Sequence, residues 1–171
     1  MSKAFTRESD DAPEPSLRPV TSALPPGVKN YLTADGARRL RDELNLLTQT
    51  ERPRAAQIQD AVESRQKLDS LDQRIVQITY ILQSAEIVYP IANDDGVIRF
   101  GAIVTVRRQN GKQTEYRIVG VDETDLDRDW VSWRSPVARA LLNAKAGQTV
   151  GFRFPDGEEQ LEILRVEYRA R

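Results

Sequence analysis

Two carboxylates, Asp60 and Glu63, stand three positions apart in the stretch DAVES, with no glycine or proline beside them. On an unbroken helix this spacing sets both acids on one face, where like charges repel slightly and water solvates them. At the tip of a helical hairpin the same pair offers oxygen ligands to a divalent cation. The 171-residue chain has no histidine and no cysteine. An imidazole base, a His-liganded zinc, a Ser-His pair, thiolate chemistry and disulfides are therefore excluded. Acid–base or metal chemistry is left to carboxylates, Lys, Tyr or the residues of a partner.

Charge narrows the classes further. Lys plus Arg is 25 and Asp plus Glu is 26, a net charge of −1. That balance lacks the basic stripe or strongly positive domain of a DNA-binding protein. Charged residues at 30% and hydrophobic ones at 39% suit a globular protein with long solvated surfaces. No run of about 18 apolar residues occurs and the N-terminus lacks an apolar signal core, so the chain reads as cytoplasmic, with no membrane partner. The first 29 residues carry five of the nine prolines and no hydrophobic period. They read as a disordered leader, 1–29.

The acids need elements to position them. In YLTADGARRL, Thr33 is a candidate N-cap with Asp35 in the first turn of a helix. Leu40, Leu44 and Leu47 come next at helical spacing, then Ala55 and Ile58 more loosely, and Pro53 is expected to kink or restart this arm. The second arm is clearer: Leu68, Leu71, Ile75, Ile78, Leu82 and Ala85 recur at steps of three and four, a heptad seam. Tyr89-Pro90 and IANDDG end it. An antiparallel hairpin of two helices, 30–89, is the economical solution, reversing between Ile58 and Leu68. One long bent helix paired with a second copy stays open through Ala61 and Ser64, although a monomer is favoured.

After Asp95-Gly96 the period changes to that of strands. FGAIVTVRRQNGKQTEYRIVGVDE forms two β-rich runs around Asn110-Gly111, a strong hairpin-turn signal. WVSW is a third strand, with Trp130 and Trp133 expected on opposite faces, one in the core and one partly exposed. In SPVARALLNAKAG, Ser135 caps and Pro136 opens a short helix. QTVGFRF, the turn PDG and EEQLEILRVEYR close a last hairpin. The fold class is α+β: a helical hairpin followed, over 97–171, by an antiparallel sheet packed by one helix.

The hairpin followed by FGAIVTV, YRIVGVDE, SPVARALL and LEILRVEY, together with the start YLTADGARRLRDEL and ERP, resembles the GreA/GreB transcript-cleavage factors, and GreB more closely. The resemblance runs from about Tyr31 to Tyr168. It implies an FKBP-like second domain that grips bacterial RNA polymerase at the rim of its secondary channel. Arg134, Ser135, Pro136 and Arg139 then fall on the docking surface. It implies a coil that enters the channel, near nascent RNA, with Asp60 and Glu63 as tip acids. Those acids would help to hold a Mg²⁺ that belongs to the polymerase active centre. The chain would have no cofactor and no enzymatic activity of its own.

This chain departs from that family's pattern in several places. Gln59 replaces the tip glycine, Ser64 replaces the asparagine after the Glu, and the downstream tyrosine is absent. From ERP to LDQR the chain is shorter by about one heptad on each arm, ~10 Å of reach at the helical rise. Such a shortfall exceeds any metal–ligand distance of about 2.0–2.6 Å. Arg134 stands where the family often has an acid. Weak or absent cleavage is the expectation. The runner-up readings are a non-cleaving regulator similar to the regulator of nucleoside diphosphate kinase, and a coiled-coil dimerisation module.

Overall fold

The computed structural model describes residues 24–25, 27–89, 95–154 and 157–168. Residues 1–23 and 26 of the expected leader lie outside the described residues, as do 90–94 of the first connection and Pro155-Asp156 of the last turn. At the described end of that leader Leu24 is buried and Lys29 pairs with Glu86 at 2.8 Å, so the disorder expected up to residue 29 does not hold there.

A short strand, β1 (Asn30–Thr33), leads directly into α1 (Ala34–Leu46). Thr33 caps that helix as expected: its backbone is extended and its Oγ1 accepts the Gly36 N–H at 2.9 Å. The proline then acts in a specific way. Pro53 offers no N–H and its ring presses on the carbonyl one turn back. The helix widens into a π-helical turn, Leu47–Glu51, immediately before it and resumes as α2 (Arg52–Ala55).

The chain reverses over residues 56–60, at the start of the expected span from Ile58 to Leu68, and α3 (Ala61–Ser84) runs back alongside α1. Leu40, Ile78 and Ile81 are buried between the arms near the base, with Leu44, Leu47 and Leu82 packed against them. Ala55 and Leu71 are buried nearer the tip. The arms therefore pair within one chain.

The heptad reading overran its end. Ala85 has extended backbone and opens a strand, β2 (Ala85–Val88), in place of a seam position. β2 pairs in parallel with β1, Leu32 opposite Ile87. The β-branched pair Ile87-Val88 suits this strand, and Leu32 beside it is fully buried. The two ends of the hairpin are thus tied together at its base.

The second unit is a five-stranded sheet in the order β5-β4-β3-β7-β6. Strands β3 (Ile103–Arg108) and β4 (Gln113–Val119) turn at Asn110-Gly111 as expected, with Gly111 at φ 79° and the Arg108 N–H donated to the Lys112 carbonyl. β7 (Gly157–Glu167) pairs antiparallel with both β3 and β6 (Thr149–Phe154). The short edge strand β5 (Trp130–Ser132) is the exception to the expected antiparallel sheet, because it pairs in parallel with β4. Two 3₁₀ turns, Val121–Glu123 and Leu126–Arg128, carry the chain back to the level of Arg117, so β5 runs beside the last three residues of β4 in the same direction. Helix α4 (Pro136–Leu141) lays Val137, Ala138 and Leu141 on one face of the sheet, against Val104, Val106, Ile118, Leu161 and Ile163.

Candidate functional site

The tip is built from the helix start that Asp60 makes. Its backbone is extended, and its Oδ1 accepts the N–H groups of Val62 at 2.9 Å and Glu63 at 2.8 Å. Asp60 is thus an N-cap, a use for a carboxylate that needs no metal. Glu63 stands in the first turn of α3, exposed, where a negative charge faces the positive end of the helix. Ser64 closes the hairpin by donating its hydroxyl to the Ala55 carbonyl at 2.9 Å, joining the start of α3 to the end of α2.

The structure therefore brings Asp60 and Glu63 together, with one oxygen of the pair already occupied. Among the described residues no group of three or more carboxylates could hold a metal. A cation at this tip would have to take most of its ligands from a partner.

Two ion pairs brace the arms below the tip. Arg52 reaches Asp72 through two hydrogen bonds, at 2.7 and 3.1 Å, and this contact holds the Asp72 carboxyl below its ordinary range. Arg74 grips Glu43 at 2.7 and 2.9 Å, which raises the guanidinium further. Arg52 and Arg74 are thus tied down across the coil, and Arg54 pairs with Glu51 at 3.5 Å. Arg65 and Lys67 project into solvent near the tip.

The expected docking residues gather at the start of α4. Ser135 Oγ accepts the Ala138 N–H at 3.2 Å, and the Arg139 N–H goes to the Ser135 carbonyl at 2.9 Å. Arg134, Pro136 and Arg139 are exposed, and Ser135 is half-buried. The arrangement is a capped helix start with two cations beside it. Tip and α4 are separate sites: α3 alone, with 24 residues, is about 36 Å long.

Sequence reasoning missed the joint between hairpin and sheet. Tyr31 of β1 sets its ring edge-on to Trp133 at 5.6 Å and beside Phe100 at 5.9 Å. Trp130 carries the guanidiniums of Arg39 at 4.4 Å, Arg117 at 4.7 Å and Arg128 at 5.3 Å. Both tryptophans are half-buried, so the expected division into one core and one surface residue does not hold. Arg117, in β4, reaches across to Asp35 at 3.1 Å. Burial pushes the Asp35 carboxyl up, but Arg117, Arg39 and Arg38 together outweigh that and leave it below its ordinary value. Glu123 lies buried at the centre of the joint. The only advance signal was the acidic end of YRIVGVDE, which composition cannot distinguish from a solvated loop.

No helix among the described residues is long and apolar enough to cross a membrane. Residues 93–168 match the model of the family described as "Transcription elongation factor, GreA/GreB, C-term". The chain is 36% identical over 154 residues to the transcription elongation factor GreB of Neisseria meningitidis serogroup B, covering 82% of this chain and 94% of that one. It is 39% identical over 152 residues to GreA of Alkalilimnicola ehrlichii, covering 80% and 96%. A solved GreA/GreB factor from Nitrosomonas europaea is 22% identical, with 82% and 100% covered and a TM-score of 0.40. In the Neisseria comparison, 82% of 171 residues is about 140, so about 14 of the 154 aligned positions have no counterpart here.

Proposed function

Because the chain belongs to the GreA/GreB family of transcription elongation factors, we propose that it binds bacterial RNA polymerase at the secondary channel and regulates elongation there, with weak or no stimulation of transcript cleavage. The observation that carries the reading is the extent of the relationship: it takes in 94% of a GreB, and so both the hairpin and the sheet domain. The sheet domain, FKBP-like in this reading, docks at the channel rim through Arg134, Ser135, Pro136 and Arg139. The hairpin enters the channel with Arg65 and Lys67 turned to nascent RNA.

The weak cleavage has its cause at the tip. Asp60 Oδ1 is occupied by two backbone N–H groups, and paired heptads missing from the arms withdraw the acids by ~10 Å. Mg²⁺ belongs to the polymerase, and the chain supplies at most two carboxylates to it. It acts in the cytoplasm, as a monomer.

The test tracks RNA length on a stalled, backtracked elongation complex with Mg²⁺, after capture of core polymerase by the intact chain has been measured. Binding with little shortening of the RNA is expected. The chain should also displace a cleavage-competent relative: at equal affinity and tenfold excess it holds about ten-elevenths of the sites. Failure to capture polymerase would overturn the reading. Robust cleavage would overturn its second half.

A further inference from the structure

The joint turns on one buried carboxylate. Glu123 belongs to the sheet domain, in the 3₁₀ turn after β4, and its side chain is 1% exposed. Its Oε2 accepts two backbone N–H groups, Thr33 at 2.8 Å and Gly120 at 3.0 Å. Its Oε1 accepts the Thr33 hydroxyl, with the Arg39 guanidinium 3.6 Å away. Thr33 Oγ1 in turn caps α1 through the Gly36 N–H. The same carboxylate therefore holds its own turn and, through Thr33, the first residue of the hairpin helix.

Two glycines make room for it. A Cβ on Gly36 would lie 1.9 Å from Glu123 Oε1, and one on Gly120 would lie 2.0 Å from the Tyr31 carbonyl oxygen. Around this centre the polar matching is poor. Asn30 Oδ1, Arg39 Nε, Arg117 Nε and Trp133 Nε1 are buried without a hydrogen-bond partner, and all four residues belong to the joint. A buried polar interface that leaves atoms unpaired is costly to keep in one arrangement. Glu123, whose two oxygens are both engaged, is the group that selects it.

We propose that Glu123 is the positioning residue that fixes the direction of the hairpin relative to the sheet domain, acting through the Thr33 cap, and so sets where the tip acids point. The lever is long. With 24 residues in α3, a rotation of about 10° at the joint moves the tip by about 6 Å. That displacement is more than twice a metal–oxygen distance of about 2.3–2.6 Å. Small changes at Glu123 are therefore read out at Asp60 and Glu63. The link from direction to polymerase regulation rests on the function proposed above; the positional claim does not.

The chain has no native cysteine, so spin labels at Arg65→Cys on the hairpin and Arg165→Cys on β7 report hairpin direction by pulsed dipolar spectroscopy on the full chain, free of polymerase. The parent should give one narrow distance distribution. Glu123→Ala should shift or broaden it by about 5 Å or more, while slow amide hydrogen exchange in β3 and β7 shows the sheet core intact. Glu123→Gln, which keeps an oxygen for the two backbone N–H groups, should restore most of the parental distribution. Val104→Ala, a cavity in the sheet core away from the joint, should lower stability without moving the distance. A folded Glu123→Ala protein with the parental distribution would overturn the proposal. So would a Val104→Ala protein as broad as Glu123→Ala. Should Glu123→Ala not fold, Thr33→Val removes the hydroxyl that links Glu123 to the cap of α1 and is judged by the same shift. A parent that fails to bind polymerase leaves these distances as they are and strikes only the functional reading.

Discussion

Replacing Asp60 tests whether the tip acid serves the fold or the chemistry, because the two roles respond differently to alanine and asparagine. The Asp60 carboxylate accepts two backbone N–H groups, at 2.9 and 2.8 Å, at the start of a 24-residue helix. Losing an N-cap costs about 1 kcal/mol, within a range of about 0.5–2. The site is exposed and the freed N–H groups regain water, so the middle of that range applies. For a chain of 171 residues, Asp60→Ala should lower the melting temperature by ~2–4 °C. Asparagine caps as well as aspartate; it loses only the charge facing the helix N-terminus, about 0.3–1 kcal/mol at low salt and less as salt rises. The assay is urea unfolding of the full chain monitored at 222 nm, at low and at 0.5 M salt (about 4 Å of screening length), with transcript cleavage measured on the same proteins. The expected result is a clear loss for alanine, near-parental stability for asparagine at high salt, and little cleavage by any of the three. Equal losses for alanine and asparagine would refute the capping role. A parent that cleaves robustly, and an asparagine variant that is stable but inactive, would refute the claim that this carboxylate does no chemistry.

Three further outcomes are expected. Leu71 is buried in the seam near the tip, so Leu71→Asp should destabilise the hairpin by about 3 kcal/mol, and sedimentation should show a monomer before and after; a change only from dimer to folded monomer would mean that the arms pair between chains. Arg74 and Glu43 are both more than a third exposed, so a double-mutant cycle should give a coupling of about 0.5 kcal/mol that shrinks with salt; a coupling above about 2 kcal/mol would be that of a buried pair. The Asp95 carboxyl is lowered from 3.8 to about 2, chiefly by its hydrogen bonds from Arg99 and then by the Val97 N–H. A depressed folded pKa stabilises above the unfolded value, so this contribution is complete above 3.8 and is lost as pH falls toward 2. Carbon NMR should show that midpoint, and Arg99→Ala should move it back up; a parental midpoint near 3.8 would mean that the pair does not form.

Local chemistry and strong periods made much of the fold legible in the sequence. Thr33, Ser135 and Pro136 signal helix starts through their own hydrogen-bonding groups and fixed φ, and all three stand where that reading puts them. Asn110-Gly111 signals its turn because glycine reaches positive φ without strain. Strand β2 was illegible because Ala85 continues the three-four spacing of Leu82, and only the distant partner β1 makes the extended conformation favourable there. The direction of β5 was hidden for the same reason: three residues carry no sign of parallel or antiparallel pairing, which the path of the preceding turns decides. At the tip, the spacing of Asp60 and Glu63 was visible, but the reversal just before Asp60, which makes it a cap, was not. Glu123 was missed altogether, since its burial depends on a contact with Thr33, 90 residues away.

The hairpin is also a graduated ruler. Its base is clamped by β1 against β2 and its tip is capped by the first residues of α3, so length can change only between them. Deleting a single residue from one arm rotates everything beyond it by about 100° and turns the buried face of that arm outward. Deleting four leaves about 40° of misalignment. Deleting seven from both arms leaves only about 20°, little enough for Leu40, Leu71 and Ile78 to go on facing inward. Evolution can thus slide the tip toward or away from the sheet domain in notches of about 10 Å, while the base sets the bearing independently. Depth and direction are separate variables in this architecture, inherited through different residues and open to selection one at a time.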